Sequence, residues 1–181
     1  MAQAKTIIVG ITGSIAAYKS TDIIRRLRKK GYRTPVIMTR AGEEFITPLT
    51  LATVSGEKVW RSMFENEAEQ RMISHLSLAE SADVLLIAPA SADMIGKMAN
   101  GLADDLLSAV AMATPAHIII APAMNDKMWS NRIVQRNCDL LKKQGMQFVG
   151  PAEGELACGT AAIGRLADIA EIVSAVQQAC S

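Results

Sequence analysis

The chain has 181 residues, half of them apolar and 20% charged, with a formal net charge of +1. That length and composition suit one compact domain with a large core and exclude global disorder, and so small a net charge gives no electrostatic case for binding nucleic acid or an anionic membrane. The 3 Cys (Cys138, Cys158 and Cys180) are an odd, widely spaced set without a CxxC pair, which argues against a disulfide framework and against a zinc site.

Lys5–Ile11 (KTIIVGI) reads as a buried strand, followed by a Thr12-Gly13-Ser14 turn. A helix is predicted from about Ile15 to Lys30, ending at Gly31, with Arg25, Arg26, Arg28, Lys29 and Lys30 crowding the end where cations suit the helix dipole. Thr34–Thr39 is a second strand, Glu43–Val54 a helix, and Gly56–Met63 fits either state. Val84–Ala88 is a third strand, followed by Pro89-Ala90-Ser91-Ala92-Asp93 and a helix to about Asn100. Gly101 breaks that helix, and Asp104-Asp105 open another through Ala113. His117–Ala121 is a fourth strand, Lys127–Gln144 a helix, Met146–Val149 a fifth strand and Leu166–Ala179 a closing helix.

Nearly all-apolar strands alternating with helices predict an α/β fold with a parallel sheet covered on both faces, in a single domain spanning residues 1–181. Gly150–Gly164 is the irregular region, too glycine- and alanine-rich for a strand and too interrupted for a helix, so it reads as a loop that is either functional or disordered. No apolar run reaches the ~18 residues of a membrane span, and the amino terminus lacks the apolar region of a secretory signal. A cytoplasmic location is therefore expected.

The most informative segment is Pro122-Ala123-Met124-Asn125-Asp126-Lys127-Met128-Trp129, directly after the strand His117–Ala121. In an open parallel sheet this is the carboxyl edge, where ligand crevices form. Asn125 brings an amide that can donate and accept, inside a wall of large apolar side chains. It suits both a helix N-cap and a group that holds a polar part of a small substrate. Gly10-Ile11-Thr12-Gly13-Ser14 offers a second site at the same edge, because backbone N–H groups and the positive end of a helix gather there. It is not GxGxxG, and Thr39-Arg40 stands where an acidic ribose ligand would close the second strand. A nicotinamide dinucleotide is disfavoured and a mononucleotide phosphate fits. Ser91 and Asp93 add small polar groups after the third strand; Ser91 also suits an N-cap.

His117, at the head of a strand, reads as structural. His75, just before a helix, suits either packing or proton transfer. Cys158 lies on the irregular loop, flanked by Gly159, where a thiol can visit a site and leave it or serve as a small apolar residue. Cys138 and Cys180 read as inert.

These residues together resemble a family. Gly13-Ser14-Ile15-Ala16-Ala17, Phe45-Ile46-Thr47-Pro48, His75 before Leu76, Pro89-Ala90-Ser91-Ala92-Asp93, Gly101 with Asp104-Asp105-Leu106-Leu107, the octapeptide from Pro122 and Ala157-Cys158-Gly159 with Gly164-Arg165 are similar to the homo-oligomeric flavin-containing cysteine decarboxylases. Within them the likeness is greatest to those of coenzyme A synthesis that act on phosphopantothenoylcysteine. The resemblance implies a three-layer Rossmann-like (flavodoxin-like) fold, tightly bound FMN, and trimers, or a dodecamer built from trimers, with active sites between protomers. It implies that Gly13, Ser14 and Ile15 hold the FMN phosphate. Thr39, Ser91, Ala92, Asp93 and Met94 would line the ribityl and ring region, with Ala123 close by.

The same resemblance implies His75 as the acid/base residue, Asn125 as the holder of the substrate carboxylate, and Ala157 and Arg165 as further substrate contacts. Cys158, on a flap over the substrate, would deliver a late proton. The implied chemistry is oxidation of the thiol carbon to a thioaldehyde, loss of carbon dioxide to an enethiolate, and return of hydride to give phosphopantetheine. The flap departs from the family's Cys-Gly-Asp-x-Gly-x-Gly: Thr160 replaces the aspartate and Ala162 a glycine. The alternatives are a peptidyl-cysteine decarboxylase, which does without the flap cysteine, and a non-catalytic flavin-binding regulatory subunit. A flavin prenyltransferase shares the fold without the octapeptide and Cys158. Many relatives fuse this domain to the cysteine-ligating synthetase, so the chain is expected to be a stand-alone enzyme or part of such a fusion.

Overall fold

The computed structural model describes residues 4–64, 74–155 and 161–181. Ile7–Ile11 (β1), Val36–Met38 (β2), Val59–Trp60 (β3), Val84–Ala90 (β4), His117–Pro122 (β5) and Gln147–Phe148 (β6) form one sheet in the order β3-β2-β1-β4-β5-β6. Every pairing in it is parallel. β1 and β4 are buried along their whole length, which is why both read as unbroken apolar runs. The strand order is that of the Rossmann fold rather than the 2-1-3-4-5 order of flavodoxin, and its direction reverses between β1 and β4. The carboxyl ends of those two strands therefore border the ligand crevice of this fold class.

A 3-10 turn, Ile15–Lys19, leads from β1 into α1 (Ser20–Lys29). Next come the short α2 (Arg40–Glu43) and α3 (Pro48–Ser55). Then follow α4 (Ser74–Ser81), α5 (Ala92–Ala99), α6 (Leu106–Ala113), α7 (Asp126–Trp129), α8 (Arg132–Lys143) and α9 (Ile169–Ala179). Two cores flank the sheet. One packs Ile23, Ile24 and Leu27 of α1 with Leu51 of α3 and Ile172 and Val176 of α9. The other packs Leu78 of α4, Met94 and Ile95 of α5, Leu107 and Val110 of α6 and Leu141 of α8.

Four sequence expectations need correction. β3 is a sixth strand within the ambiguous Gly56–Met63 stretch; at two residues it is too short for any periodic signal. The predicted helix Glu43–Val54 is broken, because Pro48 starts a new helix and Thr47 caps it by accepting from Thr50 N at 3.2 Å. The predicted helix Lys127–Gln144 is also two, since Asn131 accepts from Ile133 N at 2.8 Å and opens α8.

The fourth concerns the supposed irregular loop. Ala152–Glu155 (β7) and Ala161–Arg165 (β8) pair antiparallel in it. Small residues do not prevent this, because the pairing is made by backbone groups. Gly164 sits at φ 150°, and a Cβ there would lie 2.3 Å from the Met124 carbonyl oxygen. Only glycine allows β8 to approach that closely. Met124 N donates to the Gly164 carbonyl at 3.0 Å and ties the hairpin to the loop after β5.

Candidate active site

Three strand ends build one site. At the end of β1, Thr12 joins two loops: its hydroxyl donates to the Pro89 carbonyl at 2.7 Å and accepts from Ser91 N at 2.8 Å. Gly13 follows, where an added Cβ would lie 2.7 Å from Ala41 Cβ, so the turn lies flush against the start of α2. Ser14 caps the 3-10 turn by accepting from Ala16 N at 3.3 Å, and its hydroxyl donates to the Ala123 carbonyl at 3.1 Å. At the end of β4, Ser91 caps α5 by accepting from Met94 N at 3.3 Å. At the end of β5, Asn125 Oδ1 accepts from Lys127 N at 3.0 Å and caps α7.

A cavity of about 630 Å³ opens between these ends. That lies within the ~300–1,000 Å³ of small-molecule sites. Gly13, Ser14, Ile15, Ser91, Ala92, Ala123, Asn125 and Arg165, all predicted from the sequence, line it. So do Tyr18, Lys19, Phe45, Met128 and Leu166. Among the described lining residues none is acidic and two, Lys19 and Arg165, are cations. Arg165 Nη2 is 3.5 Å from Asp168 Oδ1, while its Nε is buried without a hydrogen-bond partner.

Other predicted residues lie elsewhere. Thr39 caps α2, accepting from Gly42 N at 3.2 Å, and does not line the cavity. The Asp93 side chain is exposed and 3.6 Å from Lys97, and Met94 is buried in the core beside α6. His75 stands half-buried in the first turn of α4, outside the cavity formed by one chain. Ala157 and Cys158, with Thr160 of the flap, lie outside the described residues. His117 is exposed at the start of β5, its Nε2 3.1 Å from Gln147 Oε1. Cys138 is fully buried in α8, and burial pushes its thiol pKa up.

Sequence reasoning passed over Tyr18 and Lys19, and read Thr12 only as part of the Gly10-Ile11-Thr12-Gly13-Ser14 turn. Lys19 carried no local signal, because it falls inside the helix predicted from about Ile15 to Lys30.

The site has what a flavin mononucleotide needs. The crevice is at the switch point, the Gly13-Ser14 turn and first-turn amides offer neutral donors, no acid lines the wall among the described residues, and apolar surface is plentiful. The chain belongs to the Flavoprotein family, whose profile matches residues 1–181. It is 45% identical over 174 residues to the coenzyme A biosynthesis bifunctional protein CoaBC of Vibrio vulnificus strain YJ016, covering 96% of this chain and 43% of that protein. The chain thus spans less than half the length of that relative. It is 42% identical to a Streptococcus mutans protein named probable phosphopantothenoylcysteine decarboxylase, covering 96% of this chain and 98% of that one. The structure of a PPC decarboxylase mutant complexed with pantothenoylaminoethenethiol superposes with a TM-score of 0.88 at 27% identity, covering 97% and 98% of the two chains. That of the FMN binding protein AtHal3 gives 0.84 at 27% identity over 97% of each.

Among the described residues no helix is long and apolar enough to cross a membrane, and no cluster of three or more His, Cys, Asp or Glu could hold a metal ion.

Proposed function

We propose that the chain decarboxylates phosphopantothenoylcysteine to phosphopantetheine, with FMN as cofactor, in coenzyme A biosynthesis. The observation that carries this reading is the cavity at the β1–β4 switch point, which brings the Gly13-Ser14 turn, Ser91, Ala92 and Asn125 to one wall. The named relatives support the substrate. The fit of the donors supports FMN: the Gly13-Ser14-Ile15 turn would take its phosphate, and Ser91, Ala92 and Ala123 would border the rest. Thr39, Asp93 and Met94 would act through the backbone or by shaping that wall. When bound, FMN supplies a hydride acceptor and donor, which makes loss of a carboxylate from a cysteine amide feasible.

The protein's own part is placement and proton handling. Asn125 Oδ1 caps α7 by accepting from Lys127 N at 3.0 Å, which orients its amide at the cavity wall. A neutral donor binds the substrate carboxylate without over-stabilising the anion that must leave. Arg165 and Ala157 complete the substrate contacts. His75 manages the thiol proton, and Cys158 protonates the product carbon before release.

His75 is not in the cavity of its own chain, so a neighbouring copy delivers it, in trimers or in a dodecamer built from them. The exposed apolar side chains of Leu76, Leu102 and Met112 around α4 and α6 suit such an interface. The working location is the cytoplasm.

His75→Asn tests the reading. The variant is expected to keep its flavin and its assembly and to release no carbon dioxide from phosphopantothenoylcysteine. Turnover within a few-fold of wild type would remove His75 from the reaction.

A further inference from the structure

The parallel ladder between β1 and β4 ends at the pair Gly10–Ile87, short of the crevice. Beyond it, hydroxyl groups hold the strand ends. Ser20 Oγ donates to the Ala88 carbonyl at 2.9 Å. Thr12 Oγ1 donates to the Pro89 carbonyl at 2.7 Å and accepts from Ser91 N at 2.8 Å, so it joins the end of β1 to the end of β4 through both of its hydrogen-bonding capacities. Thr12 is 1% exposed and is not among the residues that line the cavity. It lies behind the wall and acts on what the wall presents.

The two loops it joins have different tasks. Gly13 follows Thr12 directly and opens the turn that would take the cofactor phosphate, while Ser91 and Ala92 would border the rest of the cofactor. Ser91 also caps α5, so the bond to its N–H fixes the start of that helix. The end of β5 is tied to the same two loops, since Ser14 Oγ donates to the Ala123 carbonyl and Ala123 N to the Ala90 carbonyl, both at 3.1 Å. A ligand that spans the two loops gains from finding them already at the right spacing, because little ordering cost remains on binding. A ligand that rests on one of them gains less. We propose that Thr12 is a positioning residue: without touching the cofactor, it sets the spacing between the phosphate turn and the Ser91–Ala92 wall, and with it the preference for phosphorylated flavin over riboflavin. The assignment rests on the FMN reading above.

The test measures Kd for FMN and for riboflavin, by quenching of flavin fluorescence, on the full chain stripped of flavin. The proteins are wild type, Thr12→Val, Thr12→Ser and a matched control, Thr114→Val. Thr114 makes the same kind of bridge near the amino end of β5, donating to the Ala79 carbonyl at 2.8 Å and accepting from Ala116 N at 3.2 Å. Wild type prefers FMN. In Thr12→Val that preference falls about 10-fold, because a buried amide and a buried carbonyl lose their shared partner and the two loops loosen. Thr12→Ser keeps the hydroxyl and stays within about two-fold of wild type. Thr114→Val loses thermal stability and keeps the preference. If Thr12→Val does not fold, Thr12→Cys, a weak donor and acceptor, takes its place and shows a reduced preference. A preference that the variant leaves intact, an equal fall in Thr114→Val, or a wild type without preference would overturn the assignment. A wild-type chain that binds neither flavin would instead bring down the cofactor reading on which it depends.

Discussion

Asn125 serves the fold and the site with one side chain. Its Oδ1 caps α7 through Lys127 N, and the residue lines the cavity at the end of β5. Substitution separates the two roles, because aspartate is as good a cap as asparagine but places a negative charge against the substrate carboxylate. Asn125→Asp is expected to unfold at nearly the wild-type temperature and to lose roughly 100-fold or more in kcat/KM, since like charges in an interface cost several kcal/mol. Full activity in that variant would leave Asn125 as a cap alone. This residue was legible because its signals are local: an apolar run, a proline that ends it, then a capping residue. Lys19 and Tyr18 were not. They reach the cavity because residues 15–19 wind as a 3-10 turn before α1, and the sequence pattern there reads as continuous helix. The bridging role of Thr12 was hidden for a different reason: its two bonds run to Pro89 and Ser91, 77 and 79 positions away.

At the scale of elements, β1, β4 and β5 were plain from their apolar runs, while the elements at the edges of the site were not. β7 and β8 depend on each other and on Gly164 beneath the Met124 carbonyl, so neither carries a strand signal alone. The joint between α5 and α6, signalled by Gly101 and Asp104-Asp105, is held instead by close neighbours in the sequence. Lys97 Nζ lies 2.9 Å from both Asp104 Oδ1 and Asp105 Oδ2 and 3.6 Å from Asp93 Oδ2. Asp105 in turn caps α6 in a reciprocal exchange with Ser108. α6 matters to the site because its Leu107 packs over Gly10 of β1, where an added Cβ would come within 2.6 Å of Leu107 Cδ1.

Burial disfavours charge on both partners of this joint, and their hydrogen bonds outweigh it: Lys97 is held protonated above its ordinary range, and Asp105 ionised below the usual carboxylate range. Asp105 therefore contributes stability above its unfolded pKa of ~4, and the contribution is lost as pH falls through the lower native value. That of Lys97 is complete below ~10.5 and fades only as pH rises through its raised native value. Lys97→Met is expected to cost about 1–2 kcal/mol at neutral pH, discounted for the two exposed aspartates. Thermal unfolding should show the gap to wild type narrowing as pH drops below ~4. A gap that stays constant with pH would show that the ion pairs add nothing.

For the whole molecule, six parallel strands with a switch point at β1 and β4 dictate where a ligand can sit, and the sequence announced that crevice through the composition of its strand ends. What the cavity of one chain does not contain is His75. Its place in α4 is set by packing against the far face of the sheet, so the histidine was recognisable by motif, while its separation from the cavity emerged only in three dimensions. On the proposed function, a cofactor cavity within one copy would meet a proton-handling group from another.

Flavin-assisted loss of a carboxyl group can be followed as it happens. Purified protein is mixed with phosphopantothenoylcysteine without oxygen while its visible absorbance and the carbon dioxide released are followed. A yellow protein that yields carbon dioxide and saturated thiol in equal amounts, with its flavin oxidised at the end, is the predicted result. A colourless protein that takes up no FMN, or a flavin-loaded one that releases no carbon dioxide, would contradict it.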